Sequence, residues 1–257
     1  THKPLPRKDF MKRLAILTGS TAAAVAILPF LEGNYAKAAV TPDDDLFTEY
    51  ITYPAVTGEM KAYVARPKKE AKYGTVVVIH ENRGLNAHIE DVARAFAWTH
   101  ANIAKYGGRA DRIFVAGHSA GGHLTSLLAA NPEYLKKHNL SSKNIRGIIP
   151  ISGVYDIPAG MFPKIFPGTA DALKPASPVK NLTAGGPPAL VIYADQDYAG
   201  LEQLAKQYTV KLGELKTPAT LELIKDRTHI TIITKMMLSA KDATSTLALD
   251  FIRKYAK

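Results

Sequence analysis

Residues 117–121 read Gly117-His118-Ser119-Ala120-Gly121. The apolar run Arg112-Ile113-Phe114-Val115-Ala116 leads into them, and the helix-forming stretch His123-Leu124-Thr125-Ser126-Leu127-Leu128-Ala129-Ala130 follows. A strand must therefore turn sharply into a helix around one serine. Only small residues two before and two after Ser119 let the two backbones approach closely enough. Such a turn lifts a hydroxyl, a weak nucleophile by itself, out of the fold and towards a base.

The flanking pattern sets the architecture. Phe47–Tyr53 and Met60–Ala65 alternate polar and apolar residues around Thr57-Gly58, which predicts a β-hairpin. Thr75–His80 is a continuous β-branched run, the mark of a strand buried on both faces of a parallel sheet. A helix is expected from Glu90 to Tyr106, with Val92, Phe96, Thr99 and Ile103 on one stripe and Gly107-Gly108 ending it. Further strands are expected over Gly147–Gly153, Ala189–Ala194 and Thr220–Ile224, with a helix over Gly200–Leu215. A closing helix carries Leu247, Phe251 and Tyr255, and a Pro/Gly-rich excursion runs from Val154 to Pro188. Strands alternating with helices imply an α/β fold with a doubly wound, mostly parallel sheet.

Composition narrows the chemistry. The chain has no cysteine among its 257 residues, which excludes a thiol nucleophile, disulfides and Cys-ligated zinc. No His/carboxylate spacing suited to a metal appears, and neither a metal nor a cofactor is expected. The net charge is +10, but residues 1–38 hold six Lys/Arg against two carboxylates. The remaining +6 is scattered without a basic run or interleaved aromatics, which argues against a nucleic-acid partner. Residues 1–38 combine a basic Arg7–Arg13, a mildly apolar Leu14–Leu31 and an Ala36-Lys37-Ala38 cleavage site. This is an export signal, similar to a twin-arginine signal with Lys8 in place of the second arginine. It implies a periplasmic or secreted protein with residues 39–257 as one domain and no stable membrane association after cleavage. A membrane anchor through residues 14–31 is the alternative. The sequence says nothing about oligomeric state.

Ligands of open α/β sheets bind beyond the carboxyl ends of the strands. The strand at Ala189–Ala194 ends in Asp195-Gln196-Asp197, and the strand at Thr220–Ile224 leads to Lys225-Asp226-Arg227-Thr228-His229. A serine turn of this kind is followed in the chain by an acid and then a base. His229 is thus the candidate base for Ser119, and Asp197, rather than Asp195, the candidate partner that orients it. The backbone N–H of Ala120 is one candidate donor to an oxyanion, and that of Asn82 the other. Glu81 and His118 are possible lining residues of the same site. His123 lies one turn into the helix, and His88, His100 and His138 are expected at the surface.

From about residue 86 to the end, the chain resembles carboxylesterases of the α/β-hydrolase superfamily, near the bacterial esterase and feruloyl esterase-like group. The matching stretches are Phe96-Ala97-Trp98, Asn102–Gly108, Asp111–Leu124, Pro187-Pro188-Ala189 with Asp197, and Arg227-Thr228-His229. The resemblance implies Ser119, Asp197 and His229 as a catalytic triad. Residues 1 to about 92 are instead similar to exported dienelactone hydrolase-family proteins, through Thr52-Tyr53-Pro54 and Val78–Asn86. That family uses a cysteine nucleophile, absent here, and has a glutamate matching Glu81. The two resemblances meet near Glu90–Arg94, as a recombination or internal deletion would leave them. Fewer than forty positions separate His80 from Ser119, where both groups hold a further strand and helix. One βα unit is therefore expected to be missing, leaving the hairpin docked on strand 75–80 or that strand's edge open.

The function these features imply is a serine hydrolase cleaving small, short-acyl carboxylic esters through an acyl-enzyme. Lactone hydrolysis and arylformamidase activity use the same machinery, and a relic or binding domain without catalysis is the alternative from another class.

Overall fold

The computed structural model describes residues 45–257 apart from 70, 80–85, 159, 161–167 and 240. Five strands form one parallel sheet in chain order: β3 (Tyr73–Ile79), β4 (Gly108–His118), β5 (Ile145–Ile151), β6 (Ala189–Gln196) and β7 (Ala219–Thr228). The helices between them are α1 (Asn86–Asn102), α2 (Ala120–Ala130), α3 (Pro132–Lys136), α4 (Ala170–Leu173), α5 (Pro178–Asn181) and α6 (Leu201–Glu214). Helices α7 (Thr231–Leu238) and α8 (Ala243–Tyr255) close the chain.

Side-chain alternation explains why helices cover both faces. Along β6, Ala189, Val191 and Tyr193 join a core with α1, α2 and α6, while Leu190, Ile192 and Ala194 face α7 and α8. Strand β4 divides the same way, Ile113 and Val115 to one side and Phe114 to the other. Fully buried residues of this size each contribute about 1.5–3 kcal/mol relative to exposure. On the second face Phe114 meets Phe251 edge-on at 6.2 Å between ring centres.

Helix α1 buries Ile89, Val92, Ala93 and Phe96 at helical spacing. It ends four residues earlier than expected, because Ile103–Tyr106 tighten into a 3-10 turn. Gly107, at φ 76°, stops that turn, and Gly108 already belongs to β4. Strand β7 runs past Ile224 to Thr228, and α7, unpredicted from the sequence, follows it.

The hairpin forms as expected, β1 (Leu46–Pro54) antiparallel to β2 (Glu59–Pro67), but as a separate two-stranded sheet. Tyr53 meets Trp98 and Trp98 meets Tyr106 with tilted rings, and the Val56 N–H donates to Asp91 of α1 at 2.7 Å. Between β2 and β3 lies a cleft of about 680 Å³ lined by Met60, Val64, Val76, Val78, Trp98 and Tyr106 among others. The run Thr75–Ile79 is therefore not buried on both faces. As the edge of the sheet, β3 leaves Val76 38% and Val78 73% exposed. Among the described residues α1 is the one α-helix between β3 and β4, and β3 stands at the open edge of the five-stranded sheet.

Candidate active site

Four successive strands deliver the site at their carboxyl ends. The turn after β4 is built by crowding. A Cβ on Gly117 would lie 2.4 Å from the carbonyl carbon and oxygen of Gly121, and one on Gly122 would lie 2.9 Å from the Ile151 carbonyl oxygen. Backbone cannot yield as a side chain would, so only glycine fits. Ser119 sits at the apex with φ 55° and ψ −116°, a conformation costing a non-glycine residue about 1–3 kcal/mol. Its N–H donates to Ile151 O at 2.9 Å, and α2 begins at the next residue. The Ala120 N–H belongs to the first helical turn, without an intrahelical acceptor and at the positive end of the helix dipole.

The hydroxyl of Ser119 is half-buried and lies 2.9 Å from His229 Nε2. His229 Nδ1 is 2.5 Å from Asp197 Oδ1, and both side chains are nearly enclosed. The carboxylate accepts, so Nδ1 carries the proton and Nε2 is left to accept from Ser119. Burial pushes the Asp197 carboxyl up, but hydrogen bonds from His229 and Ser152 outweigh it and hold the group below the usual carboxylate range.

Other residues hold this chain in place. Tyr198 stacks on the His229 ring at 4.2 Å between centres. His118 lies 4.6 Å from the same ring, and its Nε2 donates to the His229 carbonyl oxygen at 2.8 Å. At 6% exposure it is turned inward to the base's loop rather than lining an open surface. Asp195 accepts from the N–H groups of Asp226 and Arg227 at 3.0 and 2.9 Å, and these bonds hold its carboxyl below the usual range. It thus shapes the loop that carries His229 without reaching the imidazole. Arg227 pairs with the buried Asp242 at 2.8 Å, fastening that loop to the start of α8.

The structure brings together Ser119, His229 and Asp197 of the predicted residues, with Ala120 and His118 beside them. Asn82 and Glu81 fall outside the described residues, as does the export segment. Among the described residues no His/carboxylate group is suited to a metal, and no helix is long and apolar enough to cross a membrane. His123 is buried, its ring bonded to Ala176 O at 2.7 Å, and burial pushes it down to about 4. His100 and His138 are half-buried rather than exposed, His100 with Nε2 3.4 Å from Asn144 Nδ2, and the side chain of His88 lies outside the described ones. Ser152, Tyr198 and Asp242 were not singled out from the sequence. The available signal for Ser152 was a small hydroxyl closing the buried strand next to the serine turn. For Tyr198 and Asp242 there was none.

The model of the BD-FAE family matches residues 70–209, more than half of the chain. Esterase LipC of Mycobacterium tuberculosis is 33% identical over 144 residues, 49% of this chain and 36% of that protein. The chain thus spans about a third of this relative's length. The hydrolase fragment YghX of Escherichia coli K12 is 47% identical over 79 residues, 29% of this chain and 68% of the fragment. Among solved structures, an esterase of Pyrobaculum calidifontis superposes with a TM-score of 0.70 at 20% identity, covering 98% of this chain and 94% of that one. At that identity the likeness speaks for the fold, which is the α/β-hydrolase fold.

Proposed function

Since this chain belongs to the BD-FAE family, we propose that it hydrolyses carboxylic esters by acyl transfer to Ser119. The observation that carries the reading is the unbroken relay Ser119 Oγ, His229, Asp197 at 2.9 and 2.5 Å. In the first half-reaction His229 Nε2 takes the Ser119 proton as Oγ attacks the ester carbonyl carbon. The developing oxyanion accepts from the Ala120 N–H and, by sequence position, from that of Asn82. His229 then protonates the departing alkoxide. Water then attacks the acyl-serine carbonyl carbon as it gives a proton to His229, and His229 passes that proton to Ser119 Oγ as the acyl–oxygen bond breaks and the acid leaves. Asp197 holds the imidazole in the required tautomer and stabilises its charged form. No metal or cofactor takes part in this scheme.

A fluorophosphonate probe tests it directly. Labelling of the wild type that disappears in Ser119→Ala supports the reading, and folded wild type that stays unlabelled refutes it. That second outcome favours a binding domain without catalysis, a reading with its own support in the exposed Val78 edge. Small esters with short acyl chains are the proposed substrates, since no long apolar lid segment is apparent in the sequence. A p-nitrophenyl ester series checks this, and faster turnover of C12 than of C4 esters counts against it. Lactone and formanilide substrates in the same panel separate the related activities. Residues 1–38 are proposed to direct export, with cleavage after Ala38 read by N-terminal sequencing of the exported form.

A further inference from the structure

Ser152 closes β5, the strand between the one that delivers Ser119 and the one that delivers Asp197. It is 2% exposed, and its backbone sits at φ 48°. A glycine would occupy that conformation freely, whereas a serine is strained there by about 1–3 kcal/mol. The hydroxyl has a use that a glycine could not supply. Ser152 Oγ donates to Asp197 Oδ2 at 2.5 Å, on the oxygen opposite the one bonded to His229. The Ser152 N–H is itself anchored to Ile192 O of β6 at 2.8 Å.

Asp197 has few other restraints. Its Oδ1 accepts from the Tyr198 N–H at 2.9 Å, and Oδ2 receives a long 3.3 Å bond from the Ala194 N–H. Without Ser152, the carboxylate could rotate about its terminal torsion, which is a soft one. Oδ2 would also lose its strongest donor inside a site closed to water. We infer that Ser152 is a positioning residue, a fourth member of the relay that holds Asp197 in the rotamer presented to His229. This rests on the triad reading above.

Two substitutions separate the hydroxyl from the backbone. Ser152→Gly relieves the strained φ and deletes the hydroxyl, while Ser152→Ala deletes the hydroxyl and keeps the strain. Each is followed by thermal melting, by steady-state kinetics on p-nitrophenyl acetate and by the pH dependence of fluorophosphonate labelling. In both variants kcat should fall about tenfold with KM little changed, the loss expected for one charge-assisted hydrogen bond in an orienting role. The acid limb of labelling should move to lower pH in both, because a carboxylate no longer held against His229 stabilises the imidazolium less. Ser152→Gly should melt above Ser152→Ala, so a kinetic loss common to both cannot be ascribed to unfolding. Ser119-dependent labelling with an unshifted limb and an unchanged kcat in the glycine variant overturns the assignment of Ser152 alone. Absence of Ser119-dependent labelling in the wild type overturns the triad reading and this inference together.

Discussion

Asp242 tests how the His229 loop is held. Its side chain, 4% exposed, takes Arg227 Nη2 at 2.8 Å, and it caps α8 by accepting the Thr244 N–H at 3.0 Å. Asp242→Asn keeps an oxygen for the cap and removes the charge, whereas Asp242→Ala removes both. Deleting one partner of a fully buried pair costs about 3–5 kcal/mol. Arg227 is still 16% exposed and can recover some water. The asparagine variant should therefore lose about 2 kcal/mol. The alanine variant should lose about 1 kcal/mol more with the cap. For a domain of this size those losses lower Tm by about 4–8 °C and about 6–12 °C, readable by scanning calorimetry at pH 7. Acid supplies a second arm. Burial pushes the Asp242 carboxyl up, but the Arg227 and Thr244 bonds outweigh it and hold it below the usual range. A depressed folded pKa means the contribution is complete above the unfolded value and lost as pH falls through the folded one. The gap between wild type and Asp242→Asn should thus be full at pH 7 and shrink as pH drops below about 4. Equal losses in the two variants, or a gap that widens in acid, would refute the account.

Three further outcomes are expected. His123, neutral in the fold and pushed down to about 4, binds fewer protons than the unfolded chain between pH 4 and 6.5. Stability should therefore fall as pH drops through that window, by at most about 1.4 kcal/mol per pH unit from this group, and His123→Gln should flatten that part of a Tm–pH curve. Gly117→Ala forces a Cβ to 2.4 Å from Gly121 backbone. It should cost about 3 kcal/mol or more, and a variant that folds with wild-type melting and full probe labelling would contradict the packing of the turn. Val78→Lys places a charge on the open edge of β3 and should reduce aggregation in light scattering with little change in labelling rate.

The sheet was legible because buried parallel strands write themselves as β-branched runs, and β4, β5 and β6 do so plainly. Ser119 and His229 were legible for a different reason. Crowding of Gly117 against the Gly121 backbone restricts residue choice locally, and His229 follows the last strand. What escaped was set by tertiary context. The Thr75–Ile79 run by itself reads Val78 as core, and only the short spacing from His80 to Ser119 pointed to the open edge on which Val78 stands in solvent. Asp197 was already preferred to Asp195 from its place in the loop, but the bulge at the end of β6, which turns one carboxylate to the Asp226 and Arg227 amides and the other to His229, was not visible there. The inward-facing His118 and the Ser152 bond depend on side-chain directions that spacing does not encode.

The hairpin's separate ladder has a consequence for motion. Strands β1 and β2 bond to each other, and among the described residues they are fastened to the rest through Val56 on Asp91, Glu49 on Tyr106 and the aromatic run Tyr53, Trp98, Tyr106. Lifting the pair away breaks no hydrogen bond of the five-stranded sheet. The chain should therefore contain two cooperative units, with hairpin amides exchanging with deuterium well before those of β4 to β6. A temperature range should exist in which the first unit has melted while the strands bearing Ser119, Asp197 and His229 remain closed.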